Sequence, residues 1–405
     1  MCPPDGIGAV AIMTPHYTGT STGARDVGAE KMTMEVEMVL LPRLTPQRDL
    51  DSTNRVRATR GSGLLSLLCV VALGGHHVKA TYIPKPYFNW DDTKYLIAFG
   101  DSYTFVQGTA GYTNFSFIGS YLPGQFGFSP STLLSNKIVQ NFTGTAEGGP
   151  NWVEYLTGCG LEPGETLPQD CAVQLWNFAF AGADVSLEYL SQHHDYTIPL
   201  VNQTQQYLTW AEPVIGKRMD KSRALVAVWI GINDINDSSE FTNVSFPAFY
   251  DELIDTVFTQ SVRPMYKAGY KNFLFINLPP LDRTAANVLS LTPLPNKTMI
   301  GWWGDSLARH SETFAARNAD VTAMVYDANR FLNGVLDKPW KYDIKNTISY
   351  CLDYADPDVL QQPVLHGCLP LDDYFWYNSG HMSSHTHQLM APDIAKFLRE
   401  QSTCK

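Results

Sequence analysis

Short apolar runs recur along the chain and are separated by amphipathic stretches. The runs are Tyr95 to Phe99, Leu175 to Phe180 (LWNFAF), Ala224 to Ile230 (ALVAVWI), Asn272 to Leu278 (NFLFINL) and Val321 to Tyr326 (VTAMVY). The last three are continuous, as expected of parallel strands buried on both faces. Helical candidates lie between and after them: Pro247 to Ala268, Ser306 to Asn318 and His387 to Gln401. Alternation of strand and helix predicts an α/β fold with a doubly wound parallel sheet. In such sheets, sites form at the carboxyl ends of strands. The stretch from Tyr103 to Glu165 is rich in Gly, Pro, Ser, Asn and Phe and poorly periodic. It predicts insertion loops shaping a groove, with a helix near Trp152 to Leu156.

One further apolar run is of another kind. Gly63 to Gly74 contains LLSLLCVVAL, follows Arg55, Arg57 and Arg60, and precedes Val78-Lys79-Ala80. That is the pattern of a signal peptide, too short for a comfortable membrane span. Residues 1–54 are polar and patternless, and read as a mispredicted start or a non-native extension. The expected organisation is therefore 1–54 extension, 55–80 signal peptide and 81–405 a single large domain. Sequons beginning at Asn114, Asn141, Asn202, Asn236, Asn243 and Asn296 agree with secretion. So does cysteine usage: of the five cysteines after the leader, Cys159 with Cys171 and Cys351 with Cys368 would close short loops and leave Cys404 over, although spacing alone does not set connectivity.

Composition narrows the class. Of 405 residues, 44% are hydrophobic and 17% charged, enough apolar surface for a large core. A net charge of -11 disfavours nucleic acid and anionic membrane surfaces as partners.

The chemistry starts at Tyr95 to Thr104, YLIAFGDSYT. A buried strand, a glycine turn and an exposed serine present a nucleophile at the sheet edge, here Ser102. Gly182 ends the second run in Asn177-Phe-Ala-Phe-Ala-Gly182, where a backbone N–H can approach a substrate closely. Asn233 follows the third run in Gly231-Ile-Asn233-Asp234 and can aim an amide at the same point. His381 stands just before the last helix, and a base there completes an acyl-transfer constellation. Gly304-Asp305-Ser306 repeats the serine motif but follows no strand, so Asp305 or Ser306 reads as a helix N-cap. His381, His385 and His387 lack the carboxylate or cysteine company of a metal site, and none is expected.

Taken together, Ser102, Gly182, Asn233 and His381 resemble the four blocks of the SGNH (GDSL-type) hydrolases, over about Tyr95 to Phe397. Gly149-Pro-Asn-Trp152, Asn277-Leu-Pro-Pro-Leu281 and the Phe375-Trp-Tyr-Asn378 block look like fungal secreted acetylesterases of carbohydrate esterase family 16. The resemblance implies a flavodoxin-like three-layer α/β/α sandwich and ester hydrolysis without metal or cofactor. It implies that His381 deprotonates Ser102 and that Ser102, Gly182 and Asn233 form the oxyanion hole. The expected substrate is a small-molecule or oligosaccharide ester, with acetyl on plant-wall sugars foremost, acted on by a secreted monomer without stable membrane insertion. A lipase or phospholipase acting on longer acyl chains is the alternative, and a carbohydrate-binding relative without turnover is another. One departure stands out. The family's Asp-x-x-His is here Asn378-Ser-Gly-His381, which leaves a Ser–His dyad, help from Asp372 or Asp373, or a weakened enzyme; the expected arrangement is a working Ser–His pair with Asn378 or a backbone carbonyl orienting the imidazole.

Overall fold

In the computed structural model, residues 87–119 and 127–403 are described, all within the unit Thr81–Lys405. The expected extension, the signal peptide and Cys404 lie outside the described residues.

In chain order the elements are β1 (Tyr95–Gly100), α1 (Pro130–Ser135), β2 (Ile138–Gln140), α2 (Trp152–Thr157), β3 (Gly164–Thr166), β4 (Gln174–Asn177), α3 (Leu200–Gln206), β5 (Ala224–Trp229), α4 (Ile232–Ser238), α5 (Phe246–Thr256), α6 (Arg263–Lys267), β6 (Asn272–Ile276), α7 (Ala285–Leu289), α8 (Lys297–Arg317), β7 (Thr322–Tyr326), α9 (Ala328–Asp337) and α10 (Ser384–Glu400). The main sheet is parallel, with order β4-β1-β5-β6-β7. Helices α2, α9 and α10 pack together, as do α5 and α8. With the sheet between them the architecture is a three-layer α/β/α sandwich, as expected.

The chain leaves β1 toward β4 on one side and then crosses to β5 on the other. The two connections diverge between β1 and β5, and the crevice outside their carboxyl ends is where such sheets bind ligands. Register brings those ends level: Gly100 lies opposite Trp229. β1 and β5 carry almost wholly buried side chains, which is why their sequences are continuous apolar runs rather than alternating ones.

Three expectations are corrected. The run at Leu175 to Phe180 stops being strand at Asn177. There the Asn177 amide donates to Thr104 O and its oxygen accepts from Ala179 N–H, bending the chain away. The helix expected over Pro247 to Ala268 is interrupted by a wider turn at Val257–Val262. Pro264, just beyond it, has no N–H to give a regular ladder. The third concerns Ser306, which caps nothing. It lies inside α8, whose N-cap is Asn296, accepting from the N–H groups of Thr298 and Met299. Gly301 and Gly304 look like breakers, at about 1 kcal/mol each. Burying Trp303 against Gly231 offsets them at about 2–3 kcal/mol.

Within the stretch from Tyr103 to Glu165, expected as loops with one helix, the described residues also form α1 and the antiparallel pair β2–β3. Among its described aromatic residues Tyr103, Phe105, Phe117, Phe128 and Trp152 are buried in the core. Disulfides join Cys159 to Cys171 and Cys351 to Cys368.

Candidate active site

Ser102 sits in the turn that closes β1, and its side chain is nearly buried. Its Oγ lies 2.8 Å from His381 Nε2. On the other side of the ring, His381 Nδ1 lies 2.9 Å from Asn378 Oδ1. The same Oδ1 accepts from the N–H groups of Gly380 and His381 at 3.0 and 2.9 Å. Two backbone donors therefore decide which end of the amide faces the ring. Because that end is the oxygen, His381 Nδ1 must carry the proton, and Nε2 presents its lone pair to Ser102. Tyr103 steadies the same loop: its ring lies 5.3 Å from the His381 ring and its hydroxyl donates to Gly380 O.

Neither aspartate of the alternative reading reaches the ring. Asp373 is paired with Lys345 at 2.8 Å, and the Asp372 carbonyl accepts from His385 Nδ1. With no carboxylate beside it among the described residues, burial pushes the His381 imidazole down to about 4, although part of the residue reaches the surface. Desolvation disfavours the charged ring and leaves a neutral base across ordinary pH.

Gly182 occupies the third position of a tight turn, with Ala183 N–H donating to Phe180 O. Its φ of +79° suits glycine, and a Cβ there would stand 3.3 Å from His193 Cβ. Among the described residues no acceptor is assigned to the Ser102 or Gly182 N–H. Asn233 lies in the first turn of α4, which starts at once after Gly231 (φ +111°). A side chain at Gly231 would run into the Trp303 ring at 2.1 Å. Asn233 Nδ2 gives one N–H to Ala183 O at 2.9 Å, so its other N–H is free to meet a ligand.

Sequence reasoning passed over the acids behind these donors. Asp234 Oδ1 accepts from Val185 N–H, tying the Gly182 loop to α4. Asp101 accepts from Tyr103 N–H and shapes the serine turn. Burial pushes both up to about 7. Both were visible as direct neighbours of Ser102 and Asn233, but only the fold brings them beneath the site. The three histidines near the C-terminus do not converge. His387 is in the core, its Nδ1 accepting from Trp152 N–H, and His385 turns to Asp372.

A cleft of about 440 Å³ lined by Phe258, Arg309 and His310 lies away from these residues. A cleft of about 300 Å³ reaches Gly380, beside the histidine loop, and is lined largely by polar side chains including Ser239, Thr284, Asn287 and Thr292.

A base held in one tautomer against a serine at a strand end is the arrangement of an acyl-transfer enzyme. Comparison with known families agrees: the model described as GDSL-like Lipase/Acylhydrolase matches residues 96–394. The chain belongs to the GDSL-like lipase/acylhydrolase family. It is a carboxylic ester hydrolase. Among curated relatives of this GDSL hydrolase is an acetylesterase of Thermothelomyces thermophilus, 27% identical over 75% of this chain and 87% of its own. An acetylesterase of Hypocrea jecorina is 24% identical over 74% and 86%. Solved structures are more distant. A lipase/acylhydrolase from Enterococcus faecalis covers 77% of this chain and 99% of its own at 14% identity and a TM-score of 0.32. A carbohydrate acetylesterase from Sinorhizobium meliloti covers 76% and 98% at 10% identity, also with a TM-score of 0.32.

Proposed function

We propose that this GDSL hydrolase is a secreted acetylesterase that removes acetyl groups from sugar hydroxyls through Ser102 and His381. The contact between Ser102 Oγ and His381 Nε2 carries the reading. His381 takes the Ser102 proton as Oγ attacks the ester carbonyl. The N–H groups of Ser102 and Gly182 and the amide of Asn233 receive the oxyanion. The leaving alcohol takes the proton from His381, which then deprotonates water to release acetate. Asn378 holds the ring but, being neutral, stabilises the transient imidazolium less than a carboxylate would.

Acetyl as the acyl group is supported by the curated relatives, both named acetylesterases. A sugar as the alcohol is supported by the hydroxyl- and amide-lined cleft at Gly380, since such groups replace water around sugar hydroxyls. Secretion is supported by the leader pattern, the two disulfides and the sequons: Asn114, Asn141, Asn236, Asn243 and Asn296 are exposed and Asn202 is half-buried.

The test has two parts. A fluorophosphonate probe followed by peptide mapping is expected to label Ser102; labelling of Ser306 would overturn the assignment. Hydrolysis of p-nitrophenyl acetate, butyrate, octanoate and palmitate, then of acetylated xylo-oligosaccharides, is expected to favour acetyl. Preference for the long chains would establish the lipase reading instead. Sugar binding without turnover of any activated ester would establish the non-catalytic reading, which Asn378 alone favours.

A further inference from the structure

The loop carrying Gly182 meets the helix carrying Asn233 through carboxylates. Asp184, two residues beyond Gly182, is only 3% exposed, and its Oδ1 has no hydrogen-bond partner among the described residues. Behind it, buried Asp234 uses Oδ1 on Val185 N–H and leaves Oδ2 unpartnered. Nearer the surface, His193 Nε2 and Asp237 Oδ2 lie 2.6 Å apart, each side chain about one-third exposed. Asp184, His193 and Asp237 each bring one ligand atom to within 4.8 Å of the others. Burial, with Asp234, Asp237 and Asp101 nearby, pushes the Asp184 carboxyl up to about 9.

A surface ion pair accounts for His193 and Asp237 but leaves the buried Asp184 carboxyl beside the same point, with Oδ1 unpartnered among the described residues. Buried carboxylate oxygens without a donor are rare and call for a proton or a cation. We propose that Asp184, His193 and Asp237 bind one divalent cation of the Zn²⁺ or Mn²⁺ class, clasping the Gly182 loop to α4. One imidazole nitrogen and two carboxylate oxygens suit these ions. Ca²⁺ and Mg²⁺ prefer oxygen throughout. Asp184 forms the floor, and the exposed edges of His193 and Asp237 leave a way in and room for water ligands. Binding displaces the proton held between His193 and Asp237 and the proton that Asp184 carries when the site is empty, so uptake of the ion releases acid. The ion takes no part in the hydrolytic step. It acts on the site through position, because His193 packs over Gly182 and Asp237 lies one turn beyond Asn233 on the same helix.

The test is calorimetric titration of chelator-stripped full-length protein with ZnCl₂, MnCl₂ and CaCl₂, with Tm read alongside. The expected result is one saturable site, tighter for Zn²⁺ or Mn²⁺ than for Ca²⁺, with proton release and a rise in Tm. Affinity should fall at least about tenfold in both His193→Gln and Asp237→Asn. Asp184→Asn should abolish the site; should that buried variant fail to fold, the two surface variants carry the test. His366→Gln is the control, since Asp353, Asp356 and His366 form a separate acid–histidine group; it should leave the His193-dependent site intact. No saturable binding up to about millimolar ion, or binding unchanged in both His193→Gln and Asp237→Asn, overturns the proposal. Binding is read independently of ester turnover, so failure here leaves the esterase reading untouched.

Discussion

Replacing Asn378 by aspartate adds one negative charge at a position whose geometry is already set for it. Oδ1 of residue 378 lies 2.9 Å from His381 Nδ1 and accepts two backbone N–H groups that would equally serve a carboxylate. A unit charge about 4 Å from the imidazolium is worth roughly 4 kcal/mol at an effective dielectric near 20. That corresponds to about 3 pH units. Desolvating the new carboxylate consumes part of it. The His381 pKa should therefore rise from about 4 to roughly 5–7. In the wild type the acid limb of kcat/KM should fall near pH 4, because the base works only when neutral. In Asn378→Asp that limb should move up by one to three units. On the plateau, kcat should rise by about tenfold, because the imidazolium formed during attack gains a counter-charge. The gain is smaller than the roughly 10⁴-fold attached to loss of the aspartate in serine proteases, because Asn378 already enforces the right tautomer. Asn378→Ala removes the Nδ1 acceptor and should lower kcat/KM by about tenfold or more. Asp372→Ala and Asp373→Ala should match wild type. The assay is p-nitrophenyl acetate hydrolysis from pH 3.5 to 9 on all five proteins. If Asn378→Asp and Asn378→Ala both keep the wild-type limb and kcat, residue 378 does not orient the histidine and the reasoning fails.

Gly182→Ala places a Cβ at φ +79° and 3.3 Å from His193; kcat/KM should fall by about 10–100-fold while the circular dichroism spectrum holds, and unchanged kcat would remove Gly182 from the oxyanion hole. Trp303→Ala should destabilise by about 3–5 kcal/mol in urea titration, since the ring fills the space over Gly231; a loss under about 1 kcal/mol would show that α8 does not depend on it. Burial pushes Glu154 up to about 8, so the folded state holds a proton that the unfolded chain releases above about 4.5. Its contribution is full below that pH and is lost as pH rises toward 8, so Tm should decline over this window, and less steeply in Glu154→Gln; parallel curves would assign the decline to other groups.

What the linear chain reveals follows from how locally each feature is encoded. β1 and β5 are legible because a strand covered on both faces is apolar at every position, and no neighbour need be known to see it. Ser102 and Asn233 are legible for a related reason: each lies just past the end of such a strand, and a doubly wound sheet carries its strand ends to one rim. Gly182 lies further on, beyond the bend that ends the edge strand β4 at Asn177, so the strand pattern alone does not place it. Other features depend on partners far away in sequence. Gly301 and Gly304 argue for a break on local propensity, yet α8 runs through them because Trp303 is buried over Gly231, some seventy residues upstream. Asn378 could be seen to replace an expected acid, but not which of its neighbours reached His381. That choice rests on two backbone N–H groups aiming the amide oxygen at Nδ1, a geometry that exists only once the loop is closed. The meeting of Asp184, His193 and Asp237 is the furthest from the sequence, because no spacing links ligands drawn from a turn, a loop and a helix. Local patterning specifies elements and where they end; the tertiary fold alone decides which unlike side chains share a buried volume, and so which charges must find a partner there.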